Sequence, residues 1–158
     1  MVGTFIAIVY LIVFFGSAFL INRAQYRGYK QIADGIVSHY TTLALFIKQD
    51  IRADVFTLGT RNGYFNRFKR CDIYFMEYSI IIVGYTLLWG KKIYAKPLIL
   101  AQNDPAIKKV NPDSFNHEVY IDFEYNTKKF HNIEIHLKGL TDDERSRFTM
   151  LNNNQQLK

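Results

Sequence analysis

The basic residues that follow position 60 form the most conspicuous candidate site in the chain. The stretch "TRNGYFNRFKR" contains four of them, and three lysines follow in "GKKIYAK". Such residues attract anionic lipid surfaces, where each charge contributes about 1 kcal/mol at close range. We therefore predict an anionic lipid surface or a protein partner as ligand, with ordinary solvated loop charge as the alternative. The predicted binding residues are Arg61, Arg67, Lys69, Arg70, Lys91, Lys92 and Lys96.

Acidic and histidine side chains near the C-terminus form a second candidate site. Glu134 and His136 lie two residues apart on one predicted strand and share a face, and Glu124 could approach them across a hairpin. His131 has the opposite parity and faces away. Zinc needs three or four convergent ligands, so we predict no metal site and interpret this face as a wet strand surface. A small membrane enzyme that uses the three side chains is the alternative hypothesis.

Other chemistry is not indicated by the sequence. It contains no glycine-rich phosphate loop, no GxSxG and no HExxH. We therefore predict no catalytic residues and no cofactor. "GYFNRFKR" interleaves aromatic and basic residues as single-strand binders do, but a tethered domain argues against nucleic acid as partner. Cys71 is the single cysteine, so an internal disulfide is excluded, and we interpret it as a small buried residue.

The composition predicts one packed domain with an appendage. The chain has 158 residues, and 16% of them are aromatic, which supplies the apolar surface that a core needs. The net charge is +6 and is uneven, since residues 23–109 contain 14 Lys and Arg against 6 Asp and Glu. The positive excess therefore lies on the N-terminal side of the domain.

The N-terminal segment predicts a membrane span. Val2 to Ile21 has no charged residue, and as a helix it would be about 30 Å long, the thickness of the hydrocarbon core. We predict a transmembrane anchor over residues 1–22. The positive-inside rule then predicts an inner-membrane protein with its N-terminus outside and its C-terminal domain in the cytoplasm. The predicted membrane-flanking residues are Arg23, Tyr26, Arg27, Tyr29 and Lys30.

The next segment, residues 23–50, predicts a helix or linker. Apolar residues recur at helical spacing, at Ile32, Ile36, Tyr40, Leu43 and Ile47. Two interpretations stay open: the helix packs on the domain that follows, or it lies in the headgroup layer.

A second apolar stretch, "CDIYFMEYSIIIVGYTLLWGKK", predicts a hairpin rather than a second span. Glu77 would lie near the centre of a span, where a charge costs roughly 2.5–3.5 kcal/mol, and the β-branched residues favour a sheet. We expect Glu77 in an exposed turn and Ile80 to Val83 in a strand. Gly84 indicates a bulge or close packing, and Pro97 places the following strand at an edge or bulge.

The C-terminal part predicts two further strands and a helix. "HEVYIDFEYN" and "KFHNIEIHLKG" alternate apolar and polar residues, and "NTKK" between them suggests a hairpin turn. Thr141 with Glu144 forms a capping box that begins a helix. Leu140, Phe148 and Leu151 could pack this helix on the sheet.

This order of elements resembles a bacterial pleckstrin-homology-like (GRAM-like) domain over residues 54–152. The resemblance implies an α+β fold, namely a bent antiparallel sheet or partly open barrel of about seven strands closed by a C-terminal helix. We assign it to residues 51–152, followed by a frayed tail at 153–158. Some eukaryotic relatives bind phosphoinositides through basic residues near the place of "TRNGYFNRFKR", but their binding pattern is not present here.

The expected function combines these features. We predict a single-span membrane protein that presents a cytoplasmic binding module to a protein partner or an anionic lipid surface. An accessory subunit of a membrane complex is the alternative. The sequence specifies neither the partner nor the oligomeric state.

Overall fold

The computed structural model describes residues 2–58, 68–113, 115–125 and 131–152. Helix α1 (Val2–Tyr40) precedes an antiparallel sheet, and helix α2 (Asp142–Ser146) and a 3₁₀ helix (Arg147–Asn152) follow it. The eight strands are β1 (Phe46–Leu58), β2 (Arg70–Phe75), β3 (Ser79–Leu88), β4 (Lys91–Tyr94), β5 (Leu98–Ala101), β6 (Ile107–Asp113), β7 (Glu118–Tyr125) and β8 (His131–Lys138).

Strand β1 joins the two halves of the sheet. Its residues up to Arg52 pair with β2, and its residues from Arg52 onward pair with β8. The strand order is therefore β4-β3-β2-β1-β8-β7-β6, with β5 paired to β3. The β1–β2 register shifts between Lys48 and Ile51, where Asp50 has a φ of 59°. This irregularity bends β1 and increases its local twist, as a bulge does.

One core fills the inner face of the bent sheet. Alternate residues of β7 and β8 point inward, as their two-residue period requires, and Val119, Ile121 and Ile135 are fully buried. The C-terminal segment packs against the same core through Leu140, Phe148 and Leu151, as predicted. The predicted capping box is confirmed, since the Thr141 N–H donates to Glu144 Oε2 at 2.8 Å and the Thr141 hydroxyl accepts from the Glu144 N–H.

Strands β2 and β3 are buried on both faces. Ile80 and Ile82 face the main core, while Ile81 and Val83 pack beneath α1. This explains the unbroken apolar run, because a strand covered on both sides does not alternate. The hairpin prediction is confirmed: Glu77 is exposed at the turn, and Ile80 to Val83 lie in β3.

The last turns of α1 cover the outer face of β2 and β3. Ala33 and Ile36 are buried there against Tyr74, and Tyr40 packs beside them. The interpretation in which this helix packs on the domain is therefore confirmed. The buried stripe differs from the predicted one, because Ile32 is exposed and Ala33 takes its place. The helix also ends at Tyr40, so Leu43 is exposed beyond it, and Ile47 packs on this cluster from β1, which begins at Phe46 within the predicted helix or linker of residues 23–50.

The predicted membrane span is not supported. Among the residues that the structure describes, no helix is both long and apolar enough to cross a bilayer. This finding overturns the anchor over residues 1–22 and, with it, the integral-membrane assignment, the N-terminus-out orientation and the inner-membrane localisation. The predicted fold was wrong in the same respect, whereas the described residues do form an α+β fold with an antiparallel sheet, of eight strands where about seven were predicted. The N-terminal apolar run is the first part of a continuous helix that extends to Tyr40 and packs its last turns on the sheet.

Replacing Gly84 by Ala should destabilise the fold. A Cβ atom at this position would lie 2.3 Å from the ring of the buried Phe68. Overpacking of this kind costs about 1–3 kcal/mol of unfolding free energy, which urea denaturation would measure. Gly35→Ala is the matched control, because nothing lies within 4 Å of its added Cβ in α1. Equal stability of Gly84→Ala and the wild type would contradict the close packing.

Candidate functional site

The predicted basic cluster does not form a single free patch in the described part of the chain. Arg61 and Arg67 lie outside the described residues. Lys69 Nζ lies 3.3 Å from Asp54 Oδ1, and Arg70 and Lys92 also pair with carboxylates. These three cations are therefore partly neutralised within the fold.

Arg70 and Lys92 belong to a polar network at the base of the β3–β4 hairpin. Asp72, only 7% exposed, accepts from Lys92 Nζ at 3.0 Å and from the Asp50 backbone N–H at 2.9 Å. Asp50 accepts from the Tyr85 hydroxyl at 2.7 Å and pairs with Arg70. The Lys92 ammonium also lies 4.0 Å from the centroid of the Tyr85 ring. Two carboxylates thus balance two cations, and the buried Asp72 has the charged partner and hydrogen bond that offset the cost of burying it.

The network also sets the protonation of its members. Hydrogen bonds from Arg70 and then Tyr85 hold the pKa of Asp50 below its ordinary value. Burial, followed by the hydrogen bond to Asp50, raises the pKa of Tyr85. Asp50 is therefore ionised and Tyr85 is neutral near pH 7, so the phenol donates to the carboxylate. This hydrogen bond holds β3 against the irregular segment of β1.

The other lysines of the predicted site lie at an edge of the sheet. Strands β4 and β5 pair with β3 along one edge, and β6 is the strand at the other end of the order. The two edges carry similar sequences, "KKIYAKP" and "KKVNP". Lysine and proline on edge strands oppose pairing with other chains. Lys91 on β4, and Lys96 and Pro97 in the link between β4 and β5, therefore help to protect this edge of the sheet. Strand β5, which follows Pro97, pairs with β3 alone among the described strands, which confirms its predicted edge position.

The edge at β6 has a second form of protection. The side-chain amide of Asn152 accepts from the Val110 N–H at 3.1 Å and donates to the Val110 carbonyl at 2.6 Å. These two bonds occupy the backbone groups that a further strand would use.

The tip of the β3–β4 hairpin is the most unusual exposed feature. Trp89 and Gly90 form a two-residue loop after the Leu88–Lys91 pair, with φ values of 49° and 73°. Two positive φ values are typical of a type I′ turn, which favours Asn or Gly. A left-handed conformation costs a residue with a Cβ roughly 1–2 kcal/mol, and Trp89 is nevertheless 94% exposed. We call the β3–β4 tip the exposed set Leu87, Leu88, Trp89, Lys91 and Ile93.

Helix α1 contacts the hairpin just below this tip. The Tyr26 hydroxyl donates to the Lys92 carbonyl oxygen at 3.1 Å. Lys30, one turn farther along, pairs with Asp34 on the same helix. The predicted membrane-flanking role of the tyrosines and cations of this segment depended on the anchor and is not supported without it. Tyr26 instead joins α1 to the β3–β4 hairpin. The other residues of that prediction are Arg23, Arg27 and Tyr29, all within α1.

The acidic and histidine candidates meet only in part. His136 Nε2 lies 2.7 Å from Glu134 Oε1, so the predicted shared face is confirmed. The side chain of Glu124 lies outside those that the structure describes. Within the described residues, no group of three His, Cys, Asp or Glu could hold a metal ion. Burial raises the pKa of the Cys71 thiol, which makes it a poor nucleophile.

No protein-family model, curated protein or solved structure matches this chain. The pleckstrin-homology-like resemblance therefore stays a prediction. The turn at Trp89 and Gly90 was not predicted, although a "WG" pair between two strand-forming runs was an available turn signal. No local sequence signal indicates the partners of Asp50 and Asp72, because those partners lie on other strands.

Replacing Asp50 by Asn should flatten the acid dependence of stability. The folded-state pKa of Asp50 is lowered from an ordinary value of 3.8. Its stabilising contribution is therefore complete above the unfolded-state pKa and is lost as the pH falls through the lower folded value. Asn tolerates positive φ, so the substitution removes the charge without adding backbone strain.

Unfolding free energies from urea denaturation at neutral pH and between about pH 4 and pH 2 would test this expectation. Asp50→Asn should be less stable than the wild type at neutral pH, and the difference should shrink in acid. Glu77→Gln, an exposed carboxyl at the β2–β3 turn, is the control. Parallel curves for Asp50→Asn and the wild type would show that the Asp50 network does not stabilise the fold.

Removing lysines from the β4–β5 edge should promote self-association. The double variant Lys91→Thr with Lys96→Thr replaces edge charge by strand-forming residues. We expect concentration-dependent oligomers in sedimentation velocity, whereas Arg52→Thr, an exposed cation on the central strand β1, should leave the state unchanged. If both variants behave alike, the edge position of the lysines has no protective role.

Proposed function

We propose that this chain is a protein-binding module and that the β3–β4 tip is its contact surface. The observation that carries the proposal is Trp89, which is almost fully exposed and lies in a left-handed conformation that disfavours its residue type. Backbone strain of this kind is typical of functional positions. A turn selected only for folding would have Asn or Gly in place of Trp89.

The composition of the tip supports a protein partner. Tryptophan is among the residues that most often dominate binding energy, and such residues work best when neighbouring side chains exclude water around them. Leu87 and Leu88 are about half exposed and flank Trp89, and Ile93 adds apolar surface on β4. Leu88 and Ile93 share one face of the hairpin and Leu87 lies on the other, so exposed apolar side chains border the indole on both faces, which favours an interaction site.

The chemistry of the partner follows from the charge around the tip. Lys91 is exposed next to Trp89, and the surrounding half of the chain has an excess of cations. We infer a partner protein with an apolar pocket for the indole, bordered by carboxylates that attract Lys91. The alternative of an anionic lipid surface has less support, because Arg70 and Lys92 are already paired with aspartates.

The network beneath the tip prepares it for binding. Lys92 is held by Asp72, by the Tyr85 ring and, through its carbonyl, by Tyr26. A surface that is already ordered loses less conformational entropy when it binds. The proposal keeps the binding module implied by the pleckstrin-homology-like resemblance, but it moves the contact from the basic residues to the hairpin tip.

Trp89→Asn should separate binding from folding. The variant creates an Asn-Gly turn, which suits type I′ geometry, so we expect unfolding free energy to rise by about 1 kcal/mol. Loss of the indole should weaken partner binding by about 2 kcal/mol, roughly thirtyfold in Kd. A photo-cross-linking residue at position 89 of the full chain would identify the partner in cells. Calorimetry with the purified partner would then measure the Kd of the wild type and of Trp89→Asn.

Phe115→Ala is the matched control, because Phe115 is 93% exposed in a different turn. The proposal is supported if Trp89→Asn weakens binding while Phe115→Ala does not, and if the adducts map to an apolar pocket with acidic neighbours. It fails if position 89 cross-links only to another copy of this chain, if anionic vesicles capture the protein through the tip, or if Trp89→Asn binds as well as the wild type.

A further inference from the structure

A groove lies on the outer face of the other half of the sheet. It has a volume of about 350 Å³, within the range of small-molecule sites. It is formed by β6, β7 and β8, whereas the β3–β4 tip lies toward the opposite end of the strand order. The lining residues are Lys109, Asn111, Tyr120, Asp122 and Glu134.

The strand register arranges these side chains in two rows. Tyr120 of β7 is the ladder partner of Asn111 on one side and of His136 on the other. Asp122, two residues along, is the partner of Lys109 and Glu134 in the same way. Each row therefore crosses three strands, and the groove floor combines the donors Lys109 and Asn111 with the acceptors Asp122 and Glu134.

The second row has an arrangement that folding alone does not favour. Like charges directly opposite each other on a sheet are destabilising, and Asp122 faces Glu134. Glu134 is held by His136, whose Nε2 lies 2.7 Å from Oε1. Asp122 makes no ion pair with any residue that the structure describes, so its carboxylate can accept hydrogen bonds from a ligand.

The first row contains a cluster of aromatic rings. The Tyr120 and His136 rings meet edge to face with centroids 4.4 Å apart, and the Phe56 ring lies 4.8 Å from His136 on the far side. A hydrogen bond to Glu118 raises the pKa of Tyr120, which places its phenol as a donor to that carboxylate. The Tyr120 ring is therefore fixed from two directions beside the groove.

The mixture of groups limits the ligand chemistry. The described His, Cys, Asp and Glu side chains include no metal-binding group of three. The two carboxylates disfavour an anion, and Lys109 at the rim disfavours a simple cation. A neutral ligand whose groups both donate and accept would satisfy Asp122, Asn111 and Lys109 together, and an apolar ring face would pack on Tyr120.

We propose that this groove binds a neutral polyhydroxylated ligand, a sugar or short oligosaccharide. Its hydroxyls would donate to Asp122 and Glu134 and accept from Lys109 and Asn111. The C–H face of the sugar ring would pack beside Tyr120. The proposal is independent of the protein-binding tip, because the two surfaces share no residue.

A screen of the full chain against an array of neutral and acidic oligosaccharides would test the proposal, followed by amide chemical-shift mapping with the neutral sugars that bind. We expect millimolar or tighter binding with shifts at the groove residues. Tyr120→Ala and Asp122→Ala should each weaken binding at least tenfold, whereas Tyr120→Phe, which keeps the ring, should retain it. Arg52→Thr, outside the groove, is the control.

Several results would overturn the proposal. The proposal is wrong if no neutral sugar binds at millimolar concentration. It is also wrong if only acidic sugars bind. Shifts that map away from β6, β7 and β8 would place the ligand elsewhere. If Tyr120→Ala loses binding but its amide spectrum shows that it is unfolded, Asp122→Asn replaces it as the deciding variant, because Asn keeps the side-chain shape. Unchanged affinity of Asp122→Asn would count against the site.

Discussion

The bend in β1 is the constraint on which the rest of the fold depends. One strand pairs with β2 over its first half and with β8 over its second, and the register of its first ladder shifts between Lys48 and Ile51. Asp50 makes this possible by adopting a positive φ at the register shift. Its N–H and carboxylate then bond to Asp72, Arg70 and Tyr85, which replaces the ladder bonds that a bulge gives up.

The position of α1 explains why the two halves of the sheet are so different. The half containing β2 and β3 has α1 on its outer face and the core on its inner face, so these strands are apolar on both faces apart from Arg70 and Asp72 in β2 and polar residues near the ends of β3. The half containing β6 to β8 is covered on the inner face only and alternates. The outer face of this second half can therefore form a polar groove, while α1 contacts the first half up to the base of the β3–β4 tip.

Several cations of the predicted binding site make ion pairs within the fold. Lys92 neutralises Asp72, which would otherwise be costly to bury, and Arg70 pairs with the exposed Asp50. The lysines of β4 and β6 lie at the ends of the strand order. A positive patch in a sequence is therefore weak evidence for an anionic ligand until its partners are known. The β3–β4 tip, whose exposed side chains are mostly apolar, is the stronger candidate for recognition.

The sequence alone determined those features that depend on neighbouring residues. Alternation in "HEVYIDFEYN", β-branching in "YSIIIVG" and the Thr141–Glu144 capping box predicted strands, a hairpin and a helix start, because each signal acts within a few residues. Tertiary structure decided the features that depend on residues far apart in the sequence. It set which face of α1 is buried, which aspartates neutralise Arg70 and Lys92, and which strands bring Tyr120, Asp122 and Glu134 into one groove. The apolar run at residues 1–22 misled the prediction for the same reason, since local composition does not specify how far a helix continues or where it packs.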